Sequence, residues 1–233
     1  MIHQRTLTTP TTSGNRRLAQ RLAGIALTLS ALTANADINK SGAYATVIGG
    51  VNTLGDQDIE ATIGGISGSG TTSFSASYIA GFSIGYRFAN NWSIEEEFVF
   101  RRTALDSATL TSLGTFSDGG FENTQLTAKA LYHLPLRSNN DIEMYVGAGI
   151  AWLAELDFDF ETAEGEQPFE KDRFGVEFHA GVRYHGWKHG FAGAGVRYLA
   201  VNDAVLPSPS NAGDTVRLGY DPLSVVFELG WRF

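Results

Sequence analysis

The stretch L-S-V-V-F-E-L-G-W-R-F, residues 223–233, decides how the rest of the chain is read. Counting back from Phe233, residues Trp231, Leu229, Phe227, Val225 and Leu223 are apolar, with Arg232, Gly230, Glu228, Val226 and Ser224 between them. Successive strand side chains point to opposite faces, so this segment is a strand with one apolar and one mostly polar face. A soluble sheet can alternate in this way. A stripe this clean, finishing on a bare aromatic, points instead to an apolar face that meets lipid.

Working back from this strand, the same alternation recurs. Ser73–Phe88 carries Phe74, Ala76, Tyr78, Ala80, Phe82, Ile84, Tyr86 and Phe88 on one face and mainly Ser and Gly on the other. Further strands are expected at 92–102, 124–134, 142–153, 174–184 and 191–201, and a first one at 42–53 whose outward face the pattern does not decide. With 223–233 this makes eight. Residues 54–72, 103–123, 154–173 and 202–220 read as long connections, rich in Gly, Ser, Thr, Asn and acids, while 89–91, 135–141 and 185–190 are short. Alternating long and short links predict an all-β, eight-stranded antiparallel up-and-down transmembrane β-barrel with periplasmic termini and four extracellular loops. Closure also removes the unpaired edges that lipid cannot satisfy. A soluble lipocalin-like barrel would turn the aromatics inward and leave Gly-rich faces in water, a poor use of Gly in strands.

The first 36 residues fit export. Arg5, Arg16, Arg17 and Arg21 precede an apolar run, L-A-G-I-A-L-T-L-S-A-L at 22–32, and then Ala34-Asn35-Ala36. This is the order of a cleaved signal peptide, and eleven residues are too few to span a bilayer as a helix. Residues 1–36 are read as the signal peptide and 37–233 as the barrel domain. Cleavage takes four positive charges from a net charge of −8 and leaves −12 on 197 residues. Such acidity argues against nucleic acid as a partner. There is no cysteine, so no disulfide can hold the exported chain.

Aromatics fall into two groups: Tyr86, Phe88, Trp92, Tyr132, Tyr184, Trp187, Trp231 and Phe233 near the short links, and Phe74, Phe100, Phe121, Trp152, Phe174 and Tyr198 near the long ones. Two belts at the membrane interfaces are expected. The stretches I-G-Y-R-F-A-N-N-W-S-I-E-E-E-F (84–98), M-Y-V-G-A-G-I-A (144–151), A-G-V-R-Y (180–184) and F-E-L-G-W-R-F (227–233) resemble the OmpA/OmpX-like, opacity-type outer-membrane β-barrel family. The resemblance covers most of residues 42–233 and implies a cell outer membrane location. It also implies that Phe233, with Trp231, Leu229 and Phe227, forms the signal read by the barrel-assembly machinery. Its motifs are structural and leave activity open.

The face opposite the apolar one collects Arg87, Glu95, Glu97, Arg101, Lys129, Glu143, Glu177, Arg183, Arg197, Glu228 and Arg232, with His133 and His179. Five acids and six bases in a narrow interior are expected to pair, because an unpaired buried charge is too costly. A plugged, salt-bridged lumen is expected over a narrow porin-like channel for small solutes. Neither histidine has the companions of a metal site, and His185 and His189 flank Trp187 in a Gly-bounded turn, so no metal and no cofactor are expected. A lipid-modifying enzyme would need Ser, His and a carboxylate at the outer rim facing lipid, and no outward His lies there, so no catalytic residues are expected.

The third long link holds Asp157, Asp159, Glu161, Glu164 and Glu166, with Glu155, Glu170 and Asp172, against Lys171 and Arg173. It reads as a solvated acidic loop, and Phe158, Phe160 and Phe169 within it hint that it folds back as a strand extension above the membrane. The other reading is a divalent-cation bridge to lipopolysaccharide or a surface for basic partners. Glu96 falls on the apolar face with Trp92, Ile94, Phe98 and Phe100, so a strand irregularity or a partner is expected there. A structural or surface-interaction role follows, with outer-membrane lipid, lipopolysaccharide and an unknown surface ligand as partners.

Overall fold

In the computed structural model, residues 41–135, 141–162 and 165–233 are described. The segment read as a signal peptide, residues 1–36, lies outside them, as does Glu164. The described residues form twelve antiparallel strands: β1 Gly42–Thr53, β2 Gln57–Ile63, β3 Ile66–Ser75, β4 Ser77–Arg87, β5 Trp92–Leu110, β6 Gly114–Phe116, β7 Gly119–Pro135, β8 Ile142–Thr162, β9 Gly165–Tyr184, β10 Gly190–Pro207, β11 Thr215–Tyr220 and β12 Leu223–Arg232.

The pairings run from β1 to β4, β5, β7, β8, β9, β10 and β12, and β12 pairs back to β1, with Val51 opposite Val225 and Ala45 opposite Trp231. No edge is left open at this level, as a wall in lipid requires. Above it, β2, β3 and β11 take the places of β1, β4 and β12: β11 pairs β10 and β2, and β3 pairs β2 and β5. Three short breaks, at 54–56, at Ala76 and at 221–222, separate each lower strand from its continuation.

These pairings correct the expected long connections. Large parts of 54–72, 103–123, 154–173 and 202–220 are strand, so the wall stands well beyond the membrane-facing band. The acidic segment folds back as the strand extension that Phe158, Phe160 and Phe169 hint at, with Asp157 opposite Glu170 and Glu161 opposite Glu166, and is not a loop. The expected 73–88 strand is two strands interrupted at Ala76. Composition misleads here for a physical reason. A wall in water turns polar side chains outward, and its outer face then resembles a loop. The β2–β3 hairpin closes on Gly64 and Gly65, with φ of 57° and 79°. A two-residue turn with both φ positive matches the twist of the strands it joins.

The two levels have inverted faces. Below, the outer face exposes Val47, Phe82, Ile94, Ile150, Phe178 and Phe227. β1 turns Tyr44, Thr46, Ile48 and Asn52 inward and Val47 and Val51 outward, the facing that the sequence left open. Above, the interior is an apolar cluster that includes Leu105, Leu110, Phe121, Leu156, Phe158, Phe160, Phe169, Leu206, Leu218 and Tyr220. Phe121 and Phe74, assigned to the upper aromatic belt, instead pack with this cluster, their rings 5.7 Å apart. The short-link belt is exposed at Phe88, Trp92, Tyr184, Trp187, Trp231 and Phe233.

Candidate functional site: the charged interior

Alternation along the lower strands sends every second residue inward, and on neighbouring strands these residues are in register. Glu95 faces Lys129 directly, and Glu143 faces Arg183. Glycines on the inner face leave room for long side chains: any side chain on Gly181 or Gly195 would run into the Tyr145 hydroxyl.

The innermost layer is the densest. Lys129 Nζ lies 3.0 Å from Glu95 and 2.5 Å from Glu97. The Arg183 guanidinium bridges Glu95 and Glu228, each at 3.0 Å, and packs 4.7 Å from the Tyr145 ring and 4.8 Å from the Phe191 ring. Arg197 pairs with Glu97 and, at 3.3 Å, with Glu228. The Tyr44 hydroxyl donates to Glu95, and the Tyr145 hydroxyl donates to Glu228 over 3.0 Å. Toward the apolar cluster, Arg101 donates to Gln125 at 2.7 Å and pairs with Glu177 at 2.9 Å, and His179 lies 3.2 Å from Glu177. Asn123 donates to the Tyr220 hydroxyl at 2.5 Å, where the polar interior meets the apolar one.

The third layer lies at the short-link mouth. Arg87 holds one Glu143 oxygen at 2.5 Å, while His133 and His185 lie 3.1 and 2.9 Å from the other. Arg232 bonds the His185 ring at 2.9 Å. A small pocket, with room for about one water molecule, is lined here by Tyr44, Arg87, His133, Glu143, Arg183, Phe191 and Arg232. Two imidazoles on one carboxylate suit a metal ion in ligand type. Arg87 and Arg232 put two fixed positive charges at the same place, which opposes a further cation. Among the described residues, no three His, Cys, Asp or Glu side chains are arranged to hold a metal.

Ser93 Oγ lies 2.8 Å from His133 Nε2, and His133 Nδ1 is the atom facing Glu143. This is the connectivity of a nucleophile relay. Ser93, however, is fully buried and does not line the pocket.

All eleven charged residues expected on the inner face therefore make ion pairs or charge-assisted hydrogen bonds with one another or with interior histidines. The sequence reading missed Tyr44, Gln125 and Tyr145, and placed His185 in a turn without its inward contacts. Tyr145 shares parity with Glu143, and His185 with Arg183, so both were findable by continuing the alternation. Tyr44 was not, because neither face of β1 carries a charged residue. Elsewhere, Phe233 N donates to Ala43 O at 3.0 Å, while Trp231, Leu229 and Phe227 face outward. Asp157 and Asp159 alternate with the buried Leu156, Phe158 and Phe160. Glu161 and Glu166 are placed by backbone register alone.

A family model described as the outer membrane protein beta-barrel domain matches residues 22–233. Among solved structures, the outer membrane protein OprG from Pseudomonas aeruginosa aligns with a TM-score of 0.63 at 19% identity, covering 84% of this chain and 99% of that one. The outer membrane protein W of E. coli, solved by NMR in solution, aligns with a TM-score of 0.50 at 19% identity, covering 83% and 99%. No curated protein matches the sequence. Likeness at these identities carries the fold alone.

Proposed function

The chain belongs to the outer membrane protein beta-barrel domain family, and from that premise we propose a closed barrel of eight membrane crossings with a structural or surface-interaction role. It is a protein of the cell outer membrane. In this reading residues 1–36 direct export, the short links face the periplasm, and the long hairpins stand outside the cell. The outer surface of these hairpins contacts lipopolysaccharide or a surface ligand, and the barrel is not an enzyme.

The filled interior carries the reading. Charged layers occupy the lower half and an apolar cluster the upper half, and eight strands leave room for little beyond side chains. Ions would have to break buried pairs below and cross a hydrocarbon-like plug above. Single-channel recording in planar bilayers tests this. Silence is expected, and steady, ion-selective conductance would overturn the closed barrel.

One observation favours a second reading, passage of small apolar solutes. β9 and β10 pair only as far as Val176 opposite Ala200. Beyond that level β9 pairs β8 and β10 pairs β11, and the Arg173 side chain donates to Val205 O across the seam. The apolar cluster lies behind it. Uptake of a small alkane or aromatic by liposomes carrying the protein, with no ion conductance, would favour this reading over a sealed barrel.

A further inference from the structure

The outer face of the lower wall is apolar on every strand, with one exception. Among the described outward positions of β1, β4, β5, β7, β8, β9, β10 and β12 in this band, Glu96 is the one charged residue. Its carboxylate is exposed on β5, between Ile84 on β4 and Ala128 on β7. The register of β5 runs unbroken against β4 from Arg101 to Ser93 and against β7 from Trp92 to Ala104. The expected irregularity is therefore absent, and no bulge turns Glu96 inward. Among the described residues, no hydrogen bond or ion pair reaches it.

Its depth follows from strand geometry. Glu96 is four residues from Trp92 in the short-link belt, about 13 Å along the strand at ~3.3 Å per residue. A tilt of ~45° makes that about 9 Å of depth in an apolar band ~25 Å tall. In the other direction, the next outward charge on β5 is Arg102, six residues away and paired with Glu122. Neither neighbour reaches it, and an ionisable group held in hydrocarbon calls for a partner.

From this we infer that Glu96 marks a lateral interface with a second copy of the chain, in which the two Glu96 carboxyls meet. Every copy enters the membrane in the same orientation, so a two-fold axis between copies lies along the membrane normal and preserves depth. At the depth of Glu96 the described outer wall of the partner offers one charged group, its own Glu96. Two carboxyls hydrogen-bonded to each other form a pair that is self-complementary, as an isologous contact demands. Beside it, Ala128 is exposed, and Ala130 lies opposite Ala148 in register. These small side chains let two walls approach closely enough for the carboxyls to meet.

The absence of cysteine makes the test direct. Ala128→Cys should cross-link in native outer membranes to a species of twice the mass. Val196→Cys, an outward position on β10, should not. Adding Glu96→Leu to the Ala128→Cys chain should reduce the cross-linked fraction at least tenfold. Adding Glu96→Gln should largely retain it, because two amides also pair. Heat-modifiable migration shows that each variant is folded. Equal cross-linking of Ala128→Cys and Val196→Cys, or no loss with Glu96→Leu in folded protein, would overturn the interface. So would a product of a mass other than two copies.

Discussion

Arg101 and Glu177 are 76 residues apart in sequence, meet at 2.9 Å, and are both completely buried. They come from β5 and β9, which do not pair with each other, so the contact crosses the lumen. Gln125 on β7 braces it, accepting from Arg101 and donating to Glu177 at 3.1 Å. The pair also marks the upper limit of the ionic interior, just below Asn123, Tyr220 and the apolar cluster.

Breaking this pair from one side leaves a buried charge without its counterion. Arg101→Met or Glu177→Gln alone should destabilise the barrel by about 3–5 kcal/mol. The double change to Met at both positions should recover most of that loss, since apolar replacement of a whole buried pair is often neutral. Urea unfolding of the three variants in one detergent checks this. If the single variants unfold with the wild type, the lumen is hydrated at this level.

The carboxy-terminal stripe gives a second test. Phe233 donates its backbone N–H to Ala43 beside the β1–β12 closure, and Trp231, Leu229 and Phe227 point outward. Deleting Phe233 should reduce the folded, heat-modifiable form in outer-membrane fractions. It should leave refolding into detergent largely intact, since one terminal hydrogen bond is worth about 1 kcal/mol. A defect of equal size in both assays would assign Phe233 to stability rather than to recognition by the assembly machinery.

The outer hairpin of β8 and β9 carries like charges directly across the ladder, Asp157 opposite Glu170. Such pairs oppose the sheet, and removing one charge is worth about 0.2–1 kcal/mol. Glu170→Gln should stabilise by that amount at low salt. The gain should shrink as salt rises, because exposed charges are screened over about 10 Å at 0.1 M. A gain independent of salt would point to a contact other than charge.

Asp221, in the break between β11 and β12, supplies a pH dependence. Burial first, and the neighbouring Asp203 second, raise its carboxyl above the usual Asp range. The folded protein therefore holds this proton more tightly than the unfolded chain does. The resulting stability is fully present below the unfolded value of ~3.9 and is lost as pH rises through the folded one. Asp221→Asn should gain on the wild type as pH rises from 3 to 7, and midpoints of thermal unfolding along that range measure it. A variant that loses ground with rising pH would show a favourable contact made by the carboxylate.

The sequence by itself determined the lower wall. There the period of two is uninterrupted, one face is apolar and exposed and the other lines a narrow interior, and the two differ so sharply that residue type declares facing. Glu95, Glu97, Arg183 and Glu228 were legible as inward residues for that reason. Which acid meets which base was not legible: Arg183 reaches Glu95 on β5 and Glu228 on β12 because closure brings distant strands across one lumen. The upper wall was hidden by phase. Register shifts fall at Ser73/Phe74 against β5, at Leu153/Leu156 on β8 and at Val201/Ala204 on β10. On β8 the inward residues change from odd, as in Glu143 and Leu153, to even, as in Leu156, Phe158 and Phe160. On β10 they change from Arg197 and Val201 to Ala204 and Leu206. A one-residue slip exchanges the two faces of a strand, so alternation read across a bulge cancels itself. At the same level the outer face changes from apolar to polar. Phe158, Phe160 and Phe169 hint at one such extension from sequence, but only the tertiary structure decided that all these segments continue the wall, because only closure of the sheet shows which of their faces is inside.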